Sequence, residues 1–170
     1  RIATAIAASQ SGYPTAGSAG AAVLATAFDF PDALSGTPLA AKVKGPLLLT
    51  HSDGLDASVG NEIQRAVPPG GKVYLLGGEA ALSAAVASEV QSLGYTVVRY
   101  GGANRFATAV QIAQSGLGNP TTILEATGLN FADALAGGAA AAHGNAAVLL
   151  TNGSSQATET AAYLGGHSSD

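Results

Sequence analysis

One stretch of the amino-acid sequence occurs twice, and this self-similarity constrains the fold more than any other feature. Residues 21–50 align with residues 122–151 without a gap and share 12 identical positions out of 30. The identities include Phe, Asp, Leu and Thr as well as Ala, so a bias toward alanine does not account for them. Such self-similarity indicates one unit of secondary structure that is used twice.

The beginning of the chain is repeated as well, which places a boundary between two units. Arg1–Ala5 returns as Arg105–Ala109 with one substitution. We therefore predict a first repeat over residues 1–104 and a second repeat over residues 105–170. The second repeat is expected to be incomplete at its C-terminal end, because the counterpart of the segment that ends at Leu76 would follow the last residue. The chain does not begin with Met, so we expect a mature or excised piece of a protein that continues.

Short apolar runs alternate with helical patterns along both repeats. The runs are short, unbroken and bounded by Gly or Pro, which is typical of parallel strands buried on both faces. The predicted strands are Ala21–Thr26, Pro46–Thr50, Lys72–Leu76, Thr96–Tyr100, Thr121–Glu125 and Ala146–Thr151. Helices are predicted over Ala103–Ser115, Phe131–Ala142 and Ser155–Leu164, and along the apolar stripes Val59/Ile63/Val67 and Leu82/Val86/Val90/Leu93, with a loop over Ser11–Gly20. This order predicts an α/β fold with mainly parallel sheets.

Charge and composition exclude several classes of function. The 7 Lys and Arg residues are outnumbered by 11 Asp and Glu, for a formal net charge of −4, so the chain lacks the basic surface that nucleic acids require. The absence of cysteine removes thiolate metal sites and thiol nucleophiles. No apolar run is long enough for a membrane span. Nucleotide-binding and hydrolase motifs are also missing, so we predict no catalytic residue, no metal and no cofactor.

Two aspartates occupy matching positions after strands of the two repeats. Asp32 and Asp133 each lie in a Phe-x-Asp-Ala-Leu block, at the end of the sheet where open α/β folds bind ligands. They are therefore candidate ligand contacts. The alternative is helix capping, with Asp29 and Asn130 as N-caps and the aspartates three residues later in a short capping box. The two roles are compatible.

Glycines and threonines at other strand ends are further candidates. Gly77 and Gly78 follow a strand and precede a helix, where the backbone can approach an anion closely; a tight turn is the alternative. Thr50 and Thr151 end two matching Leu-Leu-Thr strands and could hydrogen-bond a sugar. A threonine in this place also commonly satisfies nearby backbone groups.

Few basic side chains are available in this chain to contact an anionic ligand. Arg1 and Arg105 open the two matching segments, where an arginine opposes the helix dipole, so another role is indicated. That role is either an ion pair with a carboxylate of the next repeat or a contact with an anionic polymer. Lys72 is a further candidate, whereas Lys42 and Lys44 align with His143 and Asn145 of the second repeat.

Taken in order, the repeated motifs resemble the cell-wall-binding repeat 2 family of bacterial surface proteins. The motifs are Arg-Ile/Phe-Ala-Thr-Ala, Phe-x-Asp-Ala-Leu-x-Gly, Leu-Leu-Thr, Val73–Ser83 and Arg99–Arg105. They cover nearly the whole chain in the family's order. The family usually has an Asp before the arginine, and here Asn104 stands in that place.

The resemblance implies Rossmann-like tandem βα repeats, usually in sets of three, that anchor exported proteins without catalysis. The implied partners are an anionic cell-wall polymer or peptidoglycan, further repeats, and other copies of the chain; the implied location is the cell wall of a Gram-positive bacterium. The expected polymer-binding residues are Asp32, Thr50, Lys72, Gly77, Gly78, Arg105, Asp133 and Thr151. Two other functions remain open: an element of a surface-layer lattice, and a small-molecule domain that binds a sugar phosphate.

Overall fold

The computed structural model describes residues 1–167, which form two sheets covered by helices. The first sheet is built from β1 (Ala21–Thr26), β2 (Leu47–Thr50), β3 (Lys72–Leu76) and β4 (Thr96–Tyr100), and the second from β5 (Ile123–Thr127), β6 (Ala147–Asn152) and β7 (Ser155–Gln156). The helices are α1 (Ile2–Gly12), α2 (Pro31–Lys42), α3 (Ala57–Ala66), α4 (Ala84–Ser92), α5 (Arg105–Gln111), α6 (Ala132–Gly144) and α7 (Thr158–His167). A π-helical turn, Ile112–Gly116, continues α5. The predicted α/β fold with mainly parallel sheets is confirmed.

The first sheet is parallel throughout, in the strand order β2-β1-β3-β4. In the second sheet β5 and β6 are parallel, and the short β7 joins β6 in the antiparallel direction. Both sheets use the same register where they match: Thr26 lies beside Thr50, and Thr127 lies beside Thr151. The four threonines therefore mark the carboxyl ends of the paired strands.

The central strand β1 is buried along its whole length, as its unbroken apolar sequence predicts. Leu24 faces a core shared with Leu48, Ile63 and Leu75, whereas the next residue on the strand faces the opposite layer, which contains Leu39 and Ile112. A third cluster lies on the second sheet and contains Leu149, Leu150 and Tyr163. Leu34 of α2 belongs to this third cluster, so α2 contributes to the cores of both sheets.

Several predicted boundaries differ from the structure for identifiable reasons. Helix α1 extends to Gly12, so the loop begins later than Ser11. Strand β5 begins two residues after the predicted Thr121, because Pro120 precedes it in an exposed segment. The last helix begins at Thr158 because Ser155 and Gln156 pair with β6 instead. The predicted helix over Ala103–Ser115 is split into α5 and the π-helical turn.

The helix-capping prediction for Asp29 and Asn130 is wrong by one residue. The N-caps of α2 and α6 are Phe30 and Phe131, neither of which forms a side-chain cap. Asp29 Oδ1 instead accepts a hydrogen bond from the adjacent Phe30 N–H at 2.9 Å, and Asn130 does the same for its neighbour at 2.7 Å. The carboxylate of Asp29 is thereby held outside the helix and toward solvent. Pro31 does occupy the first turn, as predicted.

A buried carboxylate links helices α1 and α3 by hydrogen bonds. Glu62 on α3 is 3% exposed and receives two hydrogen bonds from Arg65, at 2.8 and 2.6 Å. Ser9 of α1 donates a third at 2.5 Å, and Arg65 also donates to the Tyr13 carbonyl at 2.9 Å. These hydrogen bonds hold the pKa of Glu62 below its usual range. The second repeat has no counterpart, since Tyr163 stands at the position of Glu62.

We expect Glu62→Ala to lower the free energy of unfolding by about 2–4 kcal/mol, because it leaves the Arg65 charge and the Ser9 hydroxyl without their partner. Urea titration at pH 7 measures this loss. The stability supplied by ionised Glu62 is present above the pKa of an unfolded glutamate and is lost as the pH falls through the lower folded value, so the difference between variant and wild type should shrink in acid. Glu79→Ala is the control, because Glu79 is exposed. Equal stability of the two variants would contradict the prediction.

Candidate functional site

Two neighbouring cavities with shared lining residues open at the carboxyl end of the first sheet. The first, which we call the inter-repeat cleft, has a volume of about 280 Å³. It is lined by Asp29, Pro31, Asp32, Gly78, Ala80, Ala81, Gly102, Ala103, Asn104, Arg105 and Thr108. The second, which we call the strand-end pocket, has a volume of about 290 Å³. Asp29 and Asp32 line both, so ligand groups in the two cavities would be neighbours.

Arg105 supplies the positive charge of the inter-repeat cleft and also joins the two repeats. Its Nη1 donates to the Gly128 carbonyl at 2.6 Å, and its Nη2 donates to Asp29 Oδ2 at 3.3 Å. The guanidinium carbon lies 5.8 Å from the centre of the Phe30 ring. Arg105 therefore forms an ion pair, but with a carboxylate of the preceding repeat and not of the next repeat as predicted. A guanidinium has five N–H groups, so donors remain for a ligand beyond these two bonds.

Arg1 occupies the equivalent position and makes the equivalent backbone bond. Its Nη1 donates at 2.7 Å to the carbonyl of Ala27, which aligns with Gly128. In both repeats an arginine thus fixes the backbone just after the first strand. The paired placement explains why an arginine opens each segment despite the helix dipole.

Asp32 projects into the cleft from the first turn of α2, where its environment disfavours the charge. Burial is the main cause that raises the pKa of Asp32 to about 6; the nearby Asp29 carboxylate raises it further, and Arg105 opposes both. Asp133, its counterpart, is exposed on α6. The same residue of the repeat therefore has a different environment in each copy.

Gly77 and Gly101 allow two strand-to-helix turns to pack against each other. Gly77 has a φ of +95°, and a Cβ there would overlap the Asp32 carboxylate. The Gly77 N–H donates to the Tyr100 carbonyl at 2.8 Å, and a Cβ on Gly101 would overlap the Gly77 and Gly78 backbone. The turn expected as the alternative role is present, and Gly78 also lines the cleft.

The structure does not bring the remaining predicted residues to the cleft. Thr50 is fully buried; its Oγ1 donates to the Gly54 carbonyl at 3.2 Å and accepts from the Asp56 N–H at 2.8 Å. Thr151 donates to the Gly153 carbonyl at 2.9 Å in the second repeat. Both threonines thus satisfy backbone groups, as the alternative interpretation predicted. Lys72 is the first residue of β3 and is exposed. It lies at the amino end of the strand, whereas the cleft lies at the carboxyl end.

Several residues that line these cavities were not among the predicted contacts. Phe28 and Ser52 line the strand-end pocket, and Asn104 lines the cleft. Asn104 caps α5 by accepting from the N–H groups of Phe106 and Ala107, at 3.0 and 2.9 Å. Phe28 and Ser52 were not predicted because the candidate residues were those common to both repeats, and the counterparts of these two are Leu and Gly.

Residues 1–167 contain neither a metal-binding cluster nor a helix that could span a membrane. No group of three His, Asp or Glu side chains in this range is arranged to hold a metal ion. None of the helices in the same range has both the length and the apolar character required to cross a bilayer.

Comparison with known proteins identifies relatives across almost the whole chain. A family model described as cell wall binding domain 2 (CWB2) matches residues 1–87 and 99–169. The N-acetylmuramoyl-L-alanine amidase LytC of Bacillus subtilis is 31% identical over 96% of this chain. The amidase enhancer of the same organism is 36% identical over 72% of it. The chain spans 32% of LytC and 17% of the enhancer.

Two solved structures share the fold. Cwp8 from Clostridium difficile superimposes with a TM-score of 0.82 at 30% identity and covers 88% of this chain. Cwp6 from the same organism superimposes with a TM-score of 0.83 at 25% identity and covers 98% of it. In each case the match spans 26% of the solved chain.

We expect Asp32→Asn to stabilise the chain at neutral pH. The folded chain binds the Asp32 proton more tightly than the unfolded chain does, so the free energy of unfolding of the wild type falls as the pH rises from about 4 to about 6. The variant should lose this part of the pH dependence and gain about 1–3 kcal/mol at pH 7. Urea titrations between pH 4 and pH 8 measure both effects.

Asp133→Asn is the matched control, because the aligned aspartate is exposed and its replacement should change stability by less than about 0.5 kcal/mol. Identical pH profiles for the wild type and Asp32→Asn would refute the assigned environment of Asp32.

Proposed function

This chain belongs to the cell wall binding domain 2 (CWB2) family, and from that premise we propose that it is a non-catalytic module that anchors an exported protein to the bacterial cell wall. The proposed ligand is an anionic wall polymer or a peptidoglycan-associated glycan. The amidase activity named for LytC concerns a protein of which this chain spans only 32%, so we propose that the present chain contributes binding alone. The proposed location is the cell surface.

The placement of Arg105 supports this proposal most directly. It is the cation of the inter-repeat cleft, and its side chain is 32% exposed although two of its nitrogen atoms bond to protein oxygens. A fixed, partly exposed guanidinium recognises phosphate or carboxylate by paired hydrogen bonds. With a net charge of −4, the whole chain repels an acidic polymer, so attraction has to be local.

We further propose that the two repeats divide at residues 104 and 105 and that the second associates with a further repeat or another copy of the chain. Leu34 on α2 is 7% exposed because α5 and α6 of the second repeat cover it, whereas the aligned Leu135 on α6 is 60% exposed. Phe131 lies beside it, and 56% of this residue is exposed. Leu135 and Phe131 of the second repeat align with Leu34 and Phe30, through which the first repeat contacts the second. This face also supports the lattice function as a second candidate.

We expect Arg105→Ala to weaken co-sedimentation of the chain with Gram-positive cell walls by at least about tenfold, because a charge-assisted contact contributes about 1.5–3 kcal/mol. Binding of the wild type should fall with added salt and after acid extraction of anionic polymers from the walls. Lys72→Ala removes the same charge from the amino end of β3, away from the cleft, and should retain wild-type binding. A larger loss for Lys72→Ala than for Arg105→Ala would show that the polymer binds elsewhere.

We expect the wild type to self-associate at high concentration in sedimentation velocity experiments, with Leu135→Lys abolishing the association because it places a charge on the uncovered face. Ala85→Lys, a change at an exposed position of α4 on the first sheet, is the control and should associate like the wild type. A wild type that stays monomeric at millimolar concentration would reject a second copy as the occupant and leave a further repeat in that role.

A further inference from the structure

The strand-end pocket contains an exposed aromatic ring that the proposed anchoring function does not yet use. Phe28 is 63% exposed and lies at its margin, just beyond the carboxyl end of β1. Its ring centre is 5.3 Å from that of His51, whose Nε2 is 3.7 Å from the Asp56 carboxylate. The ring is thus supported from one side and open on the other.

The exposure of Phe28 does not come from the uncovered repeat face. Phe28 is exposed although the second repeat covers Leu34 on the following helix, and its counterpart Leu129 in the second repeat is 60% exposed. This position therefore remains exposed in both copies, whereas Leu34 and Leu135 differ according to whether a repeat covers them. An aromatic ring that stays exposed in this way needs another explanation than repeat packing.

Polar groups line the pocket next to the ring. The hydroxyls of Thr26 and Ser52 are 2.9 Å apart and share one hydrogen bond. The Asp29 side chain, which also lines the pocket, is 54% exposed. Hydroxyls and a carboxylate beside an aromatic face are suited to a ligand that has both C–H surfaces and hydroxyl groups.

We propose that the strand-end pocket binds one uncharged sugar ring of the wall glycan, with the C–H face of the sugar against Phe28 and its hydroxyls bonded to Asp29 and Ser52. An aromatic face carries a negative quadrupole that attracts polarised C–H groups. The pocket volume, about 290 Å³, accommodates one hexose ring. This inference rests on the proposed function and specifies which part of the polymer is recognised.

Charge distinguishes the two cavities. The strand-end pocket contains the carboxylates of Asp29 and Asp32 and lacks Arg105, so a phosphate there is repelled. The inter-repeat cleft includes Arg105 and shares both carboxylates. A polymer of alternating sugar and anionic groups would therefore place its anion near Arg105 and its sugar near Phe28.

The second repeat does not reproduce this pocket. Leu129, Asn130 and Gly153 stand at the positions of Phe28, Asp29 and Ser52. The aromatic ring, the carboxylate and the hydroxyl are all replaced there. Leu129 consequently offers a control that is matched in position and in exposure.

The test measures binding of the full chain to cell walls for Phe28→Ala, Phe28→Tyr and Leu129→Ala. We expect Phe28→Ala to raise the apparent Kd roughly 2- to 12-fold, with Phe28→Tyr and Leu129→Ala close to the wild type. The second probe is the uncharged oligosaccharide that aqueous hydrofluoric acid releases from the same walls by cleaving phosphodiesters. The chain has 4 Phe residues, so phenylalanine-specific ¹³C labelling gives a simple NMR spectrum in which the Phe28 signal should shift on addition of this oligosaccharide.

The outcomes separate this inference from the anchoring function. Loss of wall binding in Arg105→Ala together with wild-type binding in Phe28→Ala would overturn the sugar pocket and leave anchoring intact. An unchanged Phe28 signal at saturating oligosaccharide would overturn it as well. A wild type that fails to bind walls would refute anchoring, while a shift of the Phe28 signal would still support the sugar pocket.

Discussion

The burial of α2 between two sheets is the constraint on which the rest of the structure depends. Leu39 on one side of this helix packs into the first sheet, and Leu34 on another side packs into the core of the second. The approach of α6 is close enough that a Cβ on Gly138 would lie 3.2 Å from the Thr37 side chain. Because α2 is fixed from both sides, the segment before it is fixed as well. That segment carries Asp29, and its position next to Arg105 follows from helix packing.

Neighbouring structure, more than the repeated sequence, decides what each repeated residue does. Asp32 is enclosed because the glycine turns after β3 and β4 lie over it, whereas the described second sheet has no strands in the places of β3 and β4. Asp133 is accordingly exposed on α6. An identical residue in an identical local motif can thus line a cleft in one copy and lie on an open surface in the other.

The strands and the fold class could be predicted from the sequence, because unbroken apolar runs and a duplicated motif are local signals. The site could be predicted only in part. Asp32, Gly78 and Arg105 do line the cleft, since the ends of parallel strands converge at one edge of a sheet. Burial of Thr50 depends on the loop that folds back over it, and no pattern in the sequence encodes that loop. Phe28 was not predicted because candidates were chosen by identity between the two repeats. A residue that occurs in only one repeat cannot be found in that way.

Asn104, the N-cap of α5, fits its surroundings better than an aspartate would. Its Oδ1 accepts from two N–H groups at the start of α5, while its Nδ2 donates to Glu159 of α7 at 2.7 Å. An aspartate could supply the cap but not the donor, and it would bring a second carboxylate against Glu159. The cleft already holds Asp29 and Asp32 against the single positive charge of Arg105. A neutral residue at position 104 therefore keeps the local charge from becoming more negative at the place where an anionic ligand would have to approach.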